Sequence, residues 1–303
     1  MNDQMMVDDS GAGQMQRGQF FYGFSKKKGP AKRQIEDFHV AKVEKVDGQE
    51  IGLFAVMDGH SGPRVAEYLT HSLFDLITRH PLFWSDTKTA IVDAYHEIDG
   101  RILQKADTSN KWRAGPTATT ALLMNRGTRL IVANVGDSRA VLSRGGKAFD
   151  LSVDHEPQKP EEREMVESKG GTVSFQGVYR VDRRLAMSRA FGDADIKEHL
   201  SIDPDIWDQE LLEDDEFFVI ASDGLWHVMS SQEVVDYVRS TPGDAEEVAQ
   251  ALVSAAVERK SFDDVACLVC GFVAMGFEGL TFRVIVDVFG RSNSLKPWRY
   301  VVY

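Results

Sequence analysis

Apolar residues in this chain come in short unbroken runs, and several of those runs end on an acid. Gly52-Leu-Phe-Ala-Val-Met-Asp58, Leu130-Ile-Val-Ala-Asn-Val-Gly-Asp137 and Phe217-Phe-Val-Ile-Ala-Ser-Asp223 end this way, while Asp263-Asp264 opens the run Val265-Ala-Cys-Leu-Val-Cys270. Runs of this length, bounded by turn residues, read as strands. Glu36-Asp37 opens another, Phe38-His-Val-Ala-Lys42, and further strand signals lie near 20–24, 118–124 and 139–142. The period changes between Pro63 and Arg79. There Val65, Leu69, Leu73, Leu76 and Ile77 recur at three- and four-residue spacings and predict an amphipathic helix. Ile91, Tyr95, Ile98 and Ile102 predict a second within Lys88 to Lys105. Glu161 to Lys169 predicts a helix closed by Gly170 or Gly171. Ser230-x-x-Glu233 and Asp244-x-x-Glu247 have the capping-box form and predict two more helix starts.

The order is therefore strands, paired long helices, strands, paired helices, final strand. Antiparallel sheets with helices on their outer faces suit it better than regular βαβ units, which gives an α+β class. One folded domain is expected over residues 18–273. Residues 1–17, rich in Met, Gln and Asp, read as a flexible tail, and residues 274–303 form a divergent segment to which no role is assigned.

At 303 residues and 43% hydrophobic content the chain can bury a large core. The net charge of −12 argues against a nucleic-acid partner, since phosphate binding needs basic surface. Cys267 and Cys270 are the two cysteines. In an alternating strand they face opposite sides, so two buried thiols suit them better than a zinc or redox pair, and their scarcity fits a reducing compartment. No secretory h-region precedes the domain and no apolar run approaches membrane-spanning length. The expectation is a soluble intracellular protein, cytoplasmic or nuclear, and monomeric.

The acids carry the chemistry. A lone Asp-Gly after a strand is ordinarily a turn. Asp58-Gly-His60 and Asp223-Gly-Leu-Trp226, together with a Gly-Asp-Ser turn at Asp137 and the Asp263-Asp264 pair, are harder to assign to turns alone. Carboxylates gathered at one end of a sheet repel unless a cation sits among them, and hard divalent ions prefer such oxygen ligands. A two-metal centre would activate a water and clamp a phosphoryl group, with Asp58 and Asp223 able to bridge and the Gly59 carbonyl free to approach. The chain has no Gly-x-Ser-x-Gly elbow, P-loop or His-Glu-x-x-His helix to suggest other chemistry.

Glu36-Asp37, Asp58-Gly-His60, Gly115-Pro-Thr-Ala118, Val132 to Ala140, Asp154-His-Glu-Pro157, Leu185 to Asp193, Ala221 to Trp226 and Asp263-Asp264 stand in one order. In that order the chain resembles the type-2C, metal-dependent serine/threonine protein phosphatases, most of all their plant branch, from about Phe20 to Phe272. The resemblance implies a β-sandwich of two antiparallel sheets flanked by helix pairs, in α-β-β-α layers. It also implies two Mg2+ or Mn2+ ions and phosphorylated proteins as substrates, hydrolysed at phosphoserine or phosphothreonine by in-line attack of a metal-bound hydroxide. Carried over by position, Asp58 bridges the metals and Gly59 binds one through its carbonyl. Asp37, Asp223 and Asp263 complete the shell, Glu36 holds water, and His60 is the general acid. Asp263, rather than Asp264, is expected to face the site.

Three departures from the family pattern stand out. The family's phosphate-gripping arginine is replaced by Lys32 with Arg33 beside it, and lysine offers a point charge instead of a fork. The aspartate that would join Asp137 at a third metal is His227, a poorer ligand for these ions. The stretch Val173 to Val178 lacks the tryptophan of the hormone co-receptor members, and Phe175 there is expected to be a packing residue. A rival reading, a catalytically silent phosphoprotein-binding scaffold, is disfavoured because the ligand positions are all retained. Arg180, Arg183 and Arg184 are expected on the surface, and Ser188 as a buried strand serine.

Overall fold

The computed structural model describes residues 8–15, 20–30, 32, 34–272, 283–284 and 300–301. In chain order the elements are β1 (Asp8–Gln14), β2 (Phe20–Lys27), β3 (Asp37–Val46), β4 (Gln49–His60), α1 (Arg64–Thr78) and α2 (Thr87–Ala106). Then come β5 (Gly115–Pro116), β6 (Ala118–Met124), β7 (Arg129–Val135), β8 (Arg139–Arg144), β9 (Lys147–Asp150) and α3 (Pro160–Ser168). The hairpin β10 (Val173–Gln176) and β11 (Val178–Val181) precedes β12 (Asp205–Glu210), β13 (Asp215–Ala221) and the single turn α4 (Asp223–Trp226). α5 (Ser231–Ser240), α6 (Ala245–Glu258) and β14 (Val265–Phe272) complete the domain. Both expected capping boxes close, Ser230 with Glu233 and Asp244 with Glu247.

Two antiparallel sheets result, ordered β1-β2-β14-β13-β8-β9 and β12-β7-β6-β4-β3, with β5 paired to β4. Strand alternation assigns each side chain to a layer. On β4, Ile51, Leu53, Ala55 and Met57 face the α1/α2 pair, while Phe54 and Val56 face the opposing sheet. On β13, Phe217, Val219 and Ala221 face α4–α6, while Phe218 and Ile220 point between the sheets. Phe54 sits at the centre of that interior, its ring 6.0 Å from Phe20, 5.2 Å from Tyr22 and 5.7 Å from Phe218. Cys267 and Cys270 are free, buried and on opposite faces of β14.

Two expectations are corrected. Residues 8–14 are not a loose tail but an edge strand in register with β2. Its glycines make this possible, because Gly11 and Gly13 leave room for the rings of Phe24 and Tyr22, and a Cβ on Gly13 would lie 2.3 Å from the Tyr22 hydroxyl. Phe175 is exposed rather than packed, because the β10/β11 hairpin pairs only with itself and offers it the edge of Tyr179 at 5.2 Å. Of residues 274–303, only an antiparallel pairing of 283–284 with 300–301 is described, and the rest of that segment lies outside the described residues.

Candidate metal centre

The same alternation that fills the sandwich aims its terminal acids inward. Asp58 continues the Phe54 and Val56 face of β4, and Asp37 lies directly opposite it across the β3/β4 ladder. Asp223 follows β13 as the first residue of α4. Asp137 sits in the turn between β7 and β8, which Asn134 secures by donating to the Gly136 carbonyl at 3.1 Å. Asp58, Asp137 and Asp223 each bring a carboxylate oxygen within 4.8 Å of the others. Asp58, Asp223, Asp263, Gly59, His60 and Lys32 all line one cavity of about 660 Å³.

Supporting bonds fix this end of the sandwich. The buried Asp37 carboxylate accepts from the Ser222 hydroxyl at 2.6 Å, and that hydroxyl accepts from the Ala266 amide at 2.9 Å. Asp264 is buried and accepts from the amides of Gly29 (2.8 Å) and Glu36 (2.6 Å), pinning the loop that carries Lys32. Asp263 is half-exposed and meets the Lys32 amine at 2.8 Å, with Glu36 at 3.4 Å from the same amine. His227 projects into solvent, its side chain 71% exposed, with Nδ1 3.5 Å from Asp223 rather than beside Asp137. Arg33 lies outside the described residues.

Charge is the dominant feature. Burial, then the carboxylates of Asp37, Asp223 and Asp137, push Asp58 well above the ordinary range. Asp37 is pushed up to about 8 by burial and by Asp264, Asp223 and Asp263, against the opposing Ser222 hydrogen bond. Burial and Asp223 likewise raise Asp137. Burial raises Asp223, with Asp263 adding to it against His227. Burial works against the Lys32 charge, yet its hydrogen bond to Asp263 and the nearby Asp58 and Glu36 hold it above its usual value. The donor set is all oxygen, and Asp137 Oδ1 is buried without a hydrogen-bond partner among the described residues, so the cluster fits a hard divalent cation.

Residues 22–265 match the family model PP2C, Protein phosphatase 2C. The chain belongs to the protein phosphatase 2C family. It is 46% identical over 265 residues to probable protein phosphatase 2C 45 of Oryza sativa subsp. japonica, covering 87% of this chain and 92% of that protein. It is 48% identical over 254 residues to probable protein phosphatase 2C 20 of Arabidopsis thaliana, covering 83% and 86% respectively. Among solved structures, serine-threonine phosphatase 2C from Toxoplasma gondii superposes with a TM-score of 0.76 at 23% identity, covering 84% of this chain and 95% of that one. This last likeness establishes the shared fold.

Two features of this phosphatase 2C site escape a strand-by-strand reading. Asp137, from a turn, brings a carboxylate oxygen within 4.8 Å of those of Asp58 and Asp223. Asp193, in the loop before β12, places its carboxylate on His60, with Nε2 2.8 and 2.9 Å from the two oxygens. The only signal for it was Gly192-Asp193 closing the Leu185 to Asp193 motif. Arg180 and Arg184 reach the cavity rim, where Arg184 pairs with Asp195 at 3.2 Å. Ser188 is fully buried as expected, but in a bend between β11 and β12 rather than in a strand, where its hydroxyl meets Glu162 and the His155 carbonyl.

Proposed function

We propose that this cavity hydrolyses phosphoserine and phosphothreonine on protein substrates, with two Mg2+ or Mn2+ ions as cofactors. The observation that carries the reading is the meeting of the Asp58, Asp137 and Asp223 carboxylates, two of which, Asp58 and Asp223, line a cavity that His60 also lines. Asp58, Asp37, Asp223, Asp263 and the Gly59 carbonyl would hold the ions, with Asp137 at the edge of the set. When bound, such ions supply water activation and neutralise phosphoryl charge.

The chain's own groups divide the remaining work. Lys32, held charged by its acidic neighbours, adds positive charge where the substrate phosphate enters. Glu36, 3.4 Å from the Lys32 amine, would orient water. His60 lines the cavity and would give a proton to the departing serine or threonine oxygen. The exposed His227 beside Asp223 would be a weak partner for a third ion.

The test is release of phosphate from a phosphothreonine peptide at millimolar Mn2+ or Mg2+, with the intact chain and with Asp223→Asn. Activity lost in the variant and in chelator supports the reading. Undiminished turnover in chelator, or none at all from folded protein with metal, overturns it.

A further inference from the structure

We propose that Arg184, with Arg113 and Arg180, selects substrates carrying a second anionic group close to the phosphorylated serine or threonine. That group is a carboxylate or another phosphate, and the proposal rests on the reading of the cavity as a phosphoprotein phosphatase site. The cavity is lined by two sets of charged groups from different parts of the fold. Asp58, Asp223 and Asp263 come from strand ends, with Lys32 held on Asp263 at 2.8 Å. Arg113 precedes β5, Arg180 lies on β11, and Arg184 follows the turn after it. Arg113 and Arg184 share one carboxylate, Asp195, met by Arg113 Nε at 2.7 Å and by Arg184 Nη1 at 3.2 Å. Arg180 has no carboxylate partner among the described residues, and its Nη1 donates to the Arg184 carbonyl at 2.6 Å. The nearby Asp193 carboxylate is taken up by His60. Three guanidinium groups thus share a single acid, a local reversal of sign in a chain of net charge −12. The cavity volume, about 660 Å³, is that of a site for a ligand larger than one phosphorylated side chain.

The turn that presents Arg184 is held in an uncommon shape. Asp182 and Arg183 both take left-handed conformations, with φ +49° and +62°, and such strain tends to gather at working sites. Val181 and Leu185 close the turn by exchanging backbone bonds of 2.8 and 3.2 Å. Asp182 anchors it, accepting from the Thr172 amide at 2.9 Å and meeting His199 Nδ1 at 2.5 Å. Arg184 therefore leaves a fixed backbone, while its side chain is 59% exposed. A guanidinium has five donors in a planar fork, so donors remain for an incoming carboxylate or phosphate. Lys32 is tied to an acid of the cluster, whereas Arg113 and Arg184 are tied to Asp195 outside it. The arginines are thus set for a group flanking the reacting phosphate rather than for that phosphate itself.

The test compares phosphothreonine peptides flanked by Gln, by Glu, or by Gln with one non-hydrolysable phosphonate analogue of phosphoserine. p-Nitrophenyl phosphate, which has no flanking residue, is assayed alongside. With Mn2+ present, the native chain should show a kcat/KM about 5- to 10-fold higher on the Glu peptide than on the Gln peptide. A larger gain on the phosphonate peptide would make a second phosphate the preferred anion; a gain confined to Glu would make it a carboxylate. Arg184→Gln should remove most of the preference, with a far smaller loss on the Gln peptide and the aryl phosphate. Arg184→Glu should invert it, favouring a Lys-flanked peptide over the Glu-flanked one, and high salt should flatten it in the native chain. A native chain indifferent to flanking charge, or a preference that survives both variants, overturns the proposal. Equal loss on every substrate from Arg184→Gln also overturns it, because the arginine would then grip the reacting phosphate. If the native chain hydrolyses neither peptide nor aryl phosphate, the phosphatase reading fails first and takes this inference with it.

Discussion

Replacing Asp37 with Asn should stabilise the metal-free protein while destroying its function. Folding carries the Asp37 carboxyl from an ordinary 3.8 to about 8, because burial and three neighbouring acids disfavour its charge. At pH 7 the group is ionised in the unfolded chain and must take up a proton to fold. About three pH units separate 3.8 from 7, each worth about 1.4 kcal/mol, so the penalty is about 4 kcal/mol. Asn carries no such penalty, keeps the shape, and can still accept from the Ser222 hydroxyl. The sign follows from linkage: below about pH 4 both states hold the proton and the variants match, and the native protein loses ground as pH rises towards 8. Thermal unfolding in chelator from pH 4 to 8 reads this directly. At pH 7 the Asn variant should melt about 8 °C or more above the native chain, at about 2 °C per kcal/mol for a chain of this size. Saturating Mn2+ should reverse the ranking, since only the native set binds ions fully. Parallel melting curves across the whole pH range would refute the claim that like charge is stored here.

Two further substitutions probe the frame around the cluster. Gly59→Ala would bring a Cβ to 2.6 Å from the Glu36 carbonyl, forcing apart the strand ends that carry Asp37 and Asp58. It should cost about 1–3 kcal/mol in a denaturant titration and lower kcat on a phosphopeptide by about 10²-fold; unaltered kcat would show that the two strand ends are not the working pair. Lys32→Ala removes the point charge at the cavity entrance and should raise the phosphopeptide KM by about 10-fold or more, with kcat within about threefold. A KM unchanged from the native value would leave Lys32 as only the partner of Asp263.

Which parts of this site could be read from sequence follows from geometry. Asp37 and Asp58 extend regular strands, so period-two alternation fixes the side they take. Asp223 follows β13 by only two residues and stays near that frame. Asp137 belongs to a turn, and its approach to Asp58 depends on how Gly136 and Asn134 fold the chain back, which has no period. Asp193 reaches His60 across 133 residues of sequence, from a loop whose course is set by Asp99 and Pro116 on other elements. The edge strand β1 was illegible for a different reason. Its residues are polar and glycine-rich, and its apolar cover comes from Tyr22 and Phe24 on the neighbouring strand.

The placement of Asp37 directly across from Asp58 ties two kinds of order together. A slip of one residue in the β3/β4 ladder would send every side chain of the moving strand to its opposite face, so Asp37 and Asp58 could no longer share a ligand between the sheets. Correct pairing and a competent binding site are thus one condition. A divalent ion captured late in folding would select the native alignment over its shifted competitors, acting as a proofreader of the chain's own assembly.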